Sequence, residues 1–355
     1  MQDIQSQFVK NILSAAPQNQ NAIGKAFAPS NIALCKYWGK RDPALNLPLN
    51  SSLSISLGSL GTHTEIRLRD LRDEAVASTK ISQGTSSPVE ATASSLDTIY
   101  LNGELQAETT LFAQRISAFL DLFRFRFGNA GFEVRTENNI PTAAGLASSA
   151  SGFAALTLAL NNLGGWELSS RQLSMLARLG SGSASRSLFQ GFVQWHAGER
   201  ADGTDSFAER LALEWPAFRI GILELSSAVK PVGSRDGMNR TVKTSTLYKS
   251  WPSQAEKDLK TIRRAIEHHD FQTLGKTAEQ NALSMHATML SAWPPLMYLQ
   301  PETVKQIHEV QRLRAEGLEL YLTMDAGPNI KLLFLKQSED KVVAAFPSVQ
   351  IIKPF

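Results

Sequence analysis

The stretch NNIPTAAGLASSASG, Asn138 to Gly152, carries no charge and runs straight into the apolar FAALTLAL of residues 153–160. Small residues let a backbone curl tightly and approach a ligand without side-chain obstruction. Where such a loop opens a helix, unpaired N–H groups point outward and the helix dipole favours an anion. Serine hydroxyls add donors and can also reach a magnesium ion held by phosphates. The stretch suits a phosphate cradle, and its composition equally suits the Ser-capped start of a buried helix. It is not a Walker loop, because no Gly-Lys-Ser/Thr closes it.

Working outward, strand-like text fills Lys25 to about Leu68, clearest in SSLSISLGSL and THTEIRLR. Residues 71–95 read as a turn or an exposed hairpin, and IYLNGE as a strand entering an Asn-Gly turn. Helical text in AQRISAFLDLFRFRFG precedes a strand at GFEVRTEN. After the opening stretch, whose helix runs to about Leu163, SSRQLSMLARLG is a Ser-capped helix ending at Gly180, and GFVQWHAG reads as a strand. FRIGILELS is a buried strand, helices follow at 253–267, 271–290 and 301–315, and LELYLTMD and IKLLFL flank a DAGPN turn. A last strand is expected near 342–352. Strands and helices alternate without a strict βαβ repeat, so the fold class is α+β with two layered domains. A polar, acidic stretch at 199–215 marks the division. The expected organisation is an extension at 1–24, a first domain at 25–205 and a second at 206–355. In the extension, Ile4, Phe8, Ile12 and Leu13 recur at helical spacing, predicting a short amphipathic helix that packs on the protein's own surface.

Composition excludes several classes. With 43% apolar and 19% charged residues, the 355-residue chain buries full cores and is not disordered. A net charge of +3 gives no global field for nucleic acid, so any anion preference comes from locally placed Lys and Arg. One cysteine, Cys35, excludes a disulfide framework and a cysteine-based zinc site. No apolar run approaches bilayer length, and the amino-terminal text is not a secretory signal. The chain reads as a soluble, cytoplasmic protein with no nucleic-acid or membrane partner.

Four further segments hold candidate chemistry. APSNIALCKYWGKRD, Ala28 to Asp42, gathers Lys36, Lys40 and Arg41 around Tyr37 and Trp38. If extended, it puts Lys36, Trp38 and Lys40 on one face, either as a polyanion site or as a solvated basic edge. In GSGSASRSLFQGFVQW, Gly180 to Trp195, Arg186 sits in a small-residue loop with Ser181 and Ser183. A guanidinium there can grip a carboxylate through two parallel hydrogen bonds, from a ligand or from the fold itself. KPVGSRDGMNRTVKTS, Lys230 to Ser245, reads as a basic, turn-forming loop carrying Ser234 and Arg235; Asp236 has no assigned role. TMDAGPNIKLL, Thr323 to Leu333, puts Asp325 on a Gly-Pro turn, as a turn former or as a base. The six histidines show no metal-ligand spacing, His268 and His269 being adjacent, and His286 is expected to be structural.

Pro141 to Ser151, P-x-x-x-G-L-x-S-S-x-S, resembles the phosphate loop of the galactokinase, homoserine kinase, mevalonate kinase and phosphomevalonate kinase superfamily. PTAAGLASSASG is similar more narrowly to the form found in diphosphomevalonate decarboxylases. APSNIALCKYWGKRD with LPLNSSLSISL, GSGSASRS, the Ser-Arg before GM and DAGPN also resemble that family, in family order, and HATMLSAWPPLMYL resembles it too. The match spans roughly Phe27 to Leu333; residues 1–24 and 70–98 show no resemblance.

The resemblance implies a ribosomal-protein-like βα domain and a ferredoxin-like α/β domain with the active site in the cleft between them. It also implies ATP with Mg²⁺ as cofactors, and mevalonate 5-diphosphate as the substrate, converted to isopentenyl diphosphate, ADP, phosphate and CO₂. It assigns ATP to Pro141, Ala144, Gly145, Leu146, Ala147, Ser148, Ser149 and Ser151, with Ser148 or Ser149 nearest the metal–phosphate cluster. It assigns the substrate to Tyr37, Trp38, Gly39, Lys40, Ser181, Gly182, Ser183, Ala184, Ser185, Arg186, Ser234 and Arg235. Lys40, Ser234 and Arg235 then meet its phosphates and Arg186 its C1 carboxylate. Asp325 is the implied catalytic carboxylate, with Lys36 against it, and a homodimer is expected by analogy. Two other outcomes remain open at this point: a small-molecule kinase or monophosphate-specific decarboxylase of the same superfamily, and a non-catalytic nucleotide- or RNA-binding relative.

Overall fold

The structure, a computed structural model, describes residues 2–69, 96–128, 130–140, 148–226, 228 and 230–355. Helix α1 (Gln2–Leu13) leads to β1 (Gly24–Cys35), the short hairpin β2 (Lys40–Asp42) and β3 (Leu47–Pro48), and the long β4 (Ser52–Arg69). Beyond the undescribed 70–95 come β5 (Thr98–Leu101), β6 (Glu104–Leu105), α2 (Leu111–Leu120) and β7 (Gly131–Asn138). Then follow α3 (Ser148–Gly164), α4 (Ser170–Gly180), β8 (Phe192–Trp195), β9 (Ala208–Arg210) and β10 (Phe218–Leu223). The remaining elements are α5 (Ser234–Thr244), α6 (Trp251–Glu267), α7 (Phe271–Leu290), α8 (Pro301–Ala315), β11 (Tyr321–Met324), β12 (Ile330–Leu335), α9 (Glu339–Ala345) and β13 (Gln350–Ile352).

Two principal sheets organise these elements. The first runs β6-β5-β7-β4-β8-β9, with β1 also paired to β4, antiparallel except where β5 meets β7. Strand β4 is its spine: its first residues pair with β8 and its later ones with β7. The second sheet runs β11-β12-β10-β13. The first ends at Arg210, inside the polar segment, and the second begins at Phe218.

The cores explain how the halves hold together. Helix α3 covers β1 and β4, burying Phe153, Leu156 and Leu160 with Ile66 and Val134. Helices α6 and α7 lie against each other and touch both sheets, so one apolar cluster joins Ile32 and Leu53 to Trp251, Met285, Phe218 and Leu333. Each fully buried Leu, Ile or Phe there contributes roughly 1.5–3 kcal/mol, and removing such a side chain would loosen both sheets at once. The caps are legible. Ser169 and Gln172 form a reciprocal capping box on α4, and Asp270 caps α7 through the Thr273 N–H.

Several expectations change. Helix α1 forms and buries Phe8, Val9 and Leu13, but Ile4 is exposed. The helix predicted after Leu111 stops at Leu120, and only a tight turn at Arg124–Arg126 continues it. Residues 234–244 are a helix, not a loop; Gly233 is its N-cap, and Asp236 sits in the first turn, where a negative charge is favoured. The expected last strand shrinks to Gln350–Ile352, because Glu339 and Asp340 open a short helix over 339–345 that buries Val342. The hairpin expected at 71–95 lies outside the described residues.

Candidate active site

The centre lies where the two sheets meet. Strand β1 ends at Cys35 and delivers Lys36; the turn between β11 and β12 delivers Asp325. Lys36 Nζ is 2.9 Å from Asp325 Oδ1 and also donates to the Ala33 carbonyl at 2.8 Å. On the other carboxylate oxygen, Lys331 Nζ stands at 3.7 Å. Lys230 contributes a third positive charge, its ammonium donating to the Ala326 carbonyl. Burial opposes ionisation of Asp325, but the lysines outweigh it and hold the carboxyl well below the usual range. Burial in turn pushes Lys36 down, and Asp325 pulls it back up. The Lys36 side chain is 2% exposed and that of Asp325 33%, so the carboxylate keeps one open side.

Arg186 follows a tight turn, Gly182–Ser185, at the end of α4. Its guanidinium is buried, donates to the Ser52 and Ser54 hydroxyls of β4, and lies 5.9 Å from the Trp195 ring centre. Among the described residues it makes no ion pair with a carboxylate. Burial brings its pKa down to about 10, and Asp325 acts against that shift, so it remains a cation at neutral pH. Gly182 is required: a Cβ there would approach Trp195 and Tyr37 to about 3 Å. The Ser181 and Ser183 hydroxyls are 3.3 Å apart, while the buried hydroxyls of Tyr37 and Ser185 have no partner among the described residues. Those free donors and one desolvated guanidinium form a polar surface suited to a carboxylate.

Lys36 to Lys40 is not extended. Gly39 takes φ +113°, where a Cβ would also collide with the Tyr248 hydroxyl, and the turn sends Lys40 away from Lys36. Trp38 is buried in the core shared by the two sheets, its carbonyl accepting from Tyr248. Lys40 Nζ donates to Asn46 Oδ1 at 2.6 Å and lines a cavity of about 340 Å³ with Arg115, Arg235 and Gln5. Burial first, then Arg235 and Arg115, brings Lys40 down to about 8. Three cations around one cavity, with no acid on its lining, make an anion pocket. Ser234 starts α5 in an exposed position and is not part of that lining.

At the other side of Arg115 and Phe153 lies a cavity of about 150 Å³, lined also by Thr62, Asn138, Ser149 and Gly152. Pro141, Ala144, Gly145, Leu146 and Ala147 lie outside the described residues, as does the Ser148 side chain. Ser151 is buried and accepts from the Thr62 hydroxyl at 2.7 Å. The described residues contain no group of three acids, histidines or cysteines able to hold a metal, so magnesium would arrive with the nucleotide's phosphates. The donor set fits a nucleotide's phosphates: α3 starts without an acid in its first turn, Ser149 belongs to that turn, and Arg115 lines the same cavity.

The sequence of the chain matches known proteins along nearly its whole length. The model of the diphosphomevalonate decarboxylase-like N-terminal domain matches residues 28–88 and 74–208, and that of the mevalonate 5-diphosphate decarboxylase C-terminal domain residues 220–353. The chain belongs to the diphosphomevalonate decarboxylase family. The Saccharomyces cerevisiae diphosphomevalonate decarboxylase is 39% identical over 334 residues, 89% of this chain and 79% of that protein. The rat enzyme is 38% identical over 351 residues, 93% of this chain and 81% of that protein. The mevalonate diphosphate decarboxylase of Staphylococcus aureus superposes with a TM-score of 0.81 at 36% identity, covering 94% of this chain and 95% of that one. A structure of MDDEF with MVAPP, AMPPCP and magnesium gives the same TM-score at 38% identity, over 93% and 96%. The two-domain fold of the family is therefore this chain's fold. The amino-terminal family match also runs through 70–88 and 89–98, where the sequence alone shows no resemblance.

The structure brings together Lys36 with Asp325, Arg186 with Ser52 and Ser54, and Lys40 with Arg235. Sequence reasoning missed Arg115, Lys331 and Lys230. Lys331 left a signal, since a lysine inside the apolar IKLLFL must find a buried partner. Arg115, one basic residue on an amphipathic helix, left none.

Proposed function

We propose that the protein carries out the ATP-dependent decarboxylation of (R)-mevalonate 5-diphosphate to isopentenyl diphosphate, releasing ADP, phosphate and CO₂. The observation that carries this reading is the meeting of Lys36 and Asp325 beside Arg186, whose guanidinium makes no ion pair with a carboxylate among the described residues. A kinase that stops at a phosphorylated alcohol has no use for a buried arginine kept for a substrate carboxylate.

In this reading the diphosphate occupies the pocket of Lys40, Arg115 and Arg235, and Tyr37, Ser181 and Ser183 line the path to Arg186. Asp325 faces the C3 hydroxyl. A tertiary alcohol is far less acidic than a carboxylic acid, so early full deprotonation by Asp325 is uphill. The carboxylate orients the hydroxyl and takes its proton late, as the phosphoryl group arrives. Lys36 and Lys331 keep Asp325 ionised for that task. Magnesium entering with ATP would neutralise charge on the transferring phosphoryl group, with Ser149 at the phosphates. Once the 3-phosphate leaves, cationic character at C3 is quenched by the C1–C2 bond pair, and Arg186 holds the departing carboxylate in line.

In this reading the domain division falls a little after the expected 205/206, because Ala208–Arg210 still pairs with the first sheet. No described helix is long and apolar enough to cross a membrane. The reading puts the enzyme in the cytoplasm as a homodimer, which light scattering on the purified chain measures. The test of function is direct: purified protein, ATP, magnesium and either mevalonate 5-diphosphate or the monophosphate. Equal yields of CO₂, ADP and isopentenyl diphosphate from the diphosphate are expected; ADP without CO₂ would make it a kinase.

A further inference from the structure

Helix α7 touches both members of the Lys36–Asp325 pair, and neither contact reaches the substrate side. The Lys36 backbone N–H donates to Asn281 Oδ1 at 2.8 Å. Five residues along the same helix, His286 Nε2 lies 2.9 Å from the Asp325 carbonyl oxygen. A carbonyl only accepts, so Nε2 carries the proton and donates. We infer that Asn281 and His286 are positioning residues for the reaction, with α7 acting as a rigid spacer that sets the ammonium of one sheet against the carboxylate of the other.

Each anchor is locked by its own surroundings. Asn281 is fully buried, and its amide nitrogen donates to Asp258 Oδ2 at 2.7 Å, while Asp258 Oδ1 accepts from Gln254 at 2.7 Å. A carboxylate accepts only, so Asp258 fixes which end of the Asn281 amide faces Lys36. Flipping the amide would break both bonds. The Lys36 carbonyl is held from the other side by Asn50 Nδ2 at 2.8 Å, so the backbone from which the ammonium projects is pinned at both ends.

The second anchor is equally closed. The Asp325 carbonyl accepts from the Gly327 N–H at 2.7 Å as well as from His286, which fixes the plane from which the carboxylate springs. His286 is buried, and burial, with Lys36 and Lys331, brings its pKa down to about 4. It stays neutral under working conditions and adds no charge beside Lys36. Its contribution is therefore geometric. Five residues of α-helix separate the two anchors by about 7.5 Å along the axis, and a helix flexes little over that span. A carboxylate displaced by about 1 Å from the reacting hydroxyl can lose 10²-fold in rate.

This inference rests on the reading of Lys36 and Asp325 as the acting pair, so Asp325→Asn is assayed alongside. The test compares His286→Met, which fills the space without a donor, with His286→Gln, which restores an N–H of similar reach, and adds Asn281→Leu. With mevalonate 5-diphosphate and ATP, His286→Met and Asn281→Leu are expected to lower kcat about 10- to 100-fold while both KM values stay within about threefold. His286→Gln is expected to recover most of the lost kcat. Because both anchors serve one pair, the double variant should lose less than the product of the single losses. A kcat for His286→Met within about threefold of the parent, or a Gln variant no better than Met, overturns the inference. If His286→Met does not fold, His286→Gln decides alone, and a loss of tenfold or more at unchanged KM overturns it. If Asp325→Asn itself retains turnover, the functional reading fails, which is a different result from failure of the spacer.

Discussion

Lys36 and Asp325 are 289 positions apart in the chain, yet their charged atoms stand 2.9 Å apart with the ammonium almost wholly buried. Strand β1 brings one and the β11–β12 turn the other, so the contact exists only when both sheets are folded and closed on α6 and α7. Removing one partner of a buried pair leaves an uncompensated charge, and that asymmetry gives the first expectation.

Asp325→Asn should lower kcat by about 10²-fold or more while leaving ATP binding nearly unchanged, since one preorganised electrostatic contact is worth about that much. The same change strands Lys36 without its counter-charge. Stability should fall by up to about 3 kcal/mol, moderated because Asp325 is partly exposed. The deficit should shrink as pH rises, because burial already lowers the Lys36 pKa and a neutral amine needs no partner. Denaturant melts across pH, read beside single-turnover rates, separate the two effects.

Lys331 supplies a second positive charge to the same carboxylate at 3.7 Å. Asp325 has a depressed pKa in the folded state, so its contribution to stability is present above its unfolded value and lost as pH falls through the folded one. Lys331→Met weakens the depression. The acid-side loss of stability should then begin at a higher pH than in the parent, and acid denaturation followed below about pH 4, where a depressed carboxyl titrates, would show an unmoved limb if Lys331 does not act on Asp325.

The fold was legible wherever periodicity was strong. The strand at GFEVRTEN, the Ser169-capped helix and the strand IKLLFL lie where the residues put them, while the strand expected over LELYLTMD shortens to Tyr321–Met324. Short polar elements were not, because tertiary packing decided them: RDGMNRTVKT becomes helical by burying Met238 and Thr241, which no polar stripe advertises. Motif residues were legible only through resemblance, since Arg186 and Asp325 have ordinary structural readings in isolation. Arg115 was out of reach because its meaning is a distance to residues far away in sequence. The turn at Gly39 defeated the simple alternation argument for Lys36, Trp38 and Lys40 by sending the two lysines to different sites.

Arg186 gives an expectation that separates the two chemical stages. Its guanidinium is held by Ser52 and Ser54 and, among the described residues, makes no ion pair. Arg186→Gln removes the charge proposed to align a leaving carboxylate, but not the Lys36–Asp325 pair. CO₂ release should fall about 10²-fold or more, whereas ATP affinity measured by equilibrium binding should change little. Arg186→Lys should recover only a small part, because a single ammonium cannot reproduce two parallel hydrogen bonds. Equal CO₂ release from the Gln variant and the parent would remove Arg186 from the mechanism.

Lys40 should set the alkaline limit of substrate capture. Burial, Arg235 and Arg115 together lower its pKa to about 8, so in the free enzyme the pocket loses one of its three cations as pH rises through that value. The arginines keep their charge, so the pocket weakens without vanishing. The pH dependence of kcat/KM reports groups of the free enzyme, and for the diphosphate substrate it should fall above about pH 8. Bound diphosphate favours the ammonium and raises its pKa again, so kcat should stay flat over the same range. Lys40→Ala should raise the substrate KM with little change in kcat, because a contact remote from the reacting carbon is shared by ground and transition states. Lys40→Arg should keep a charge that does not titrate, and the alkaline fall in kcat/KM should then disappear. If the fall persists unchanged in Lys40→Arg, another group governs it and the anion pocket does not depend on the Lys40 charge.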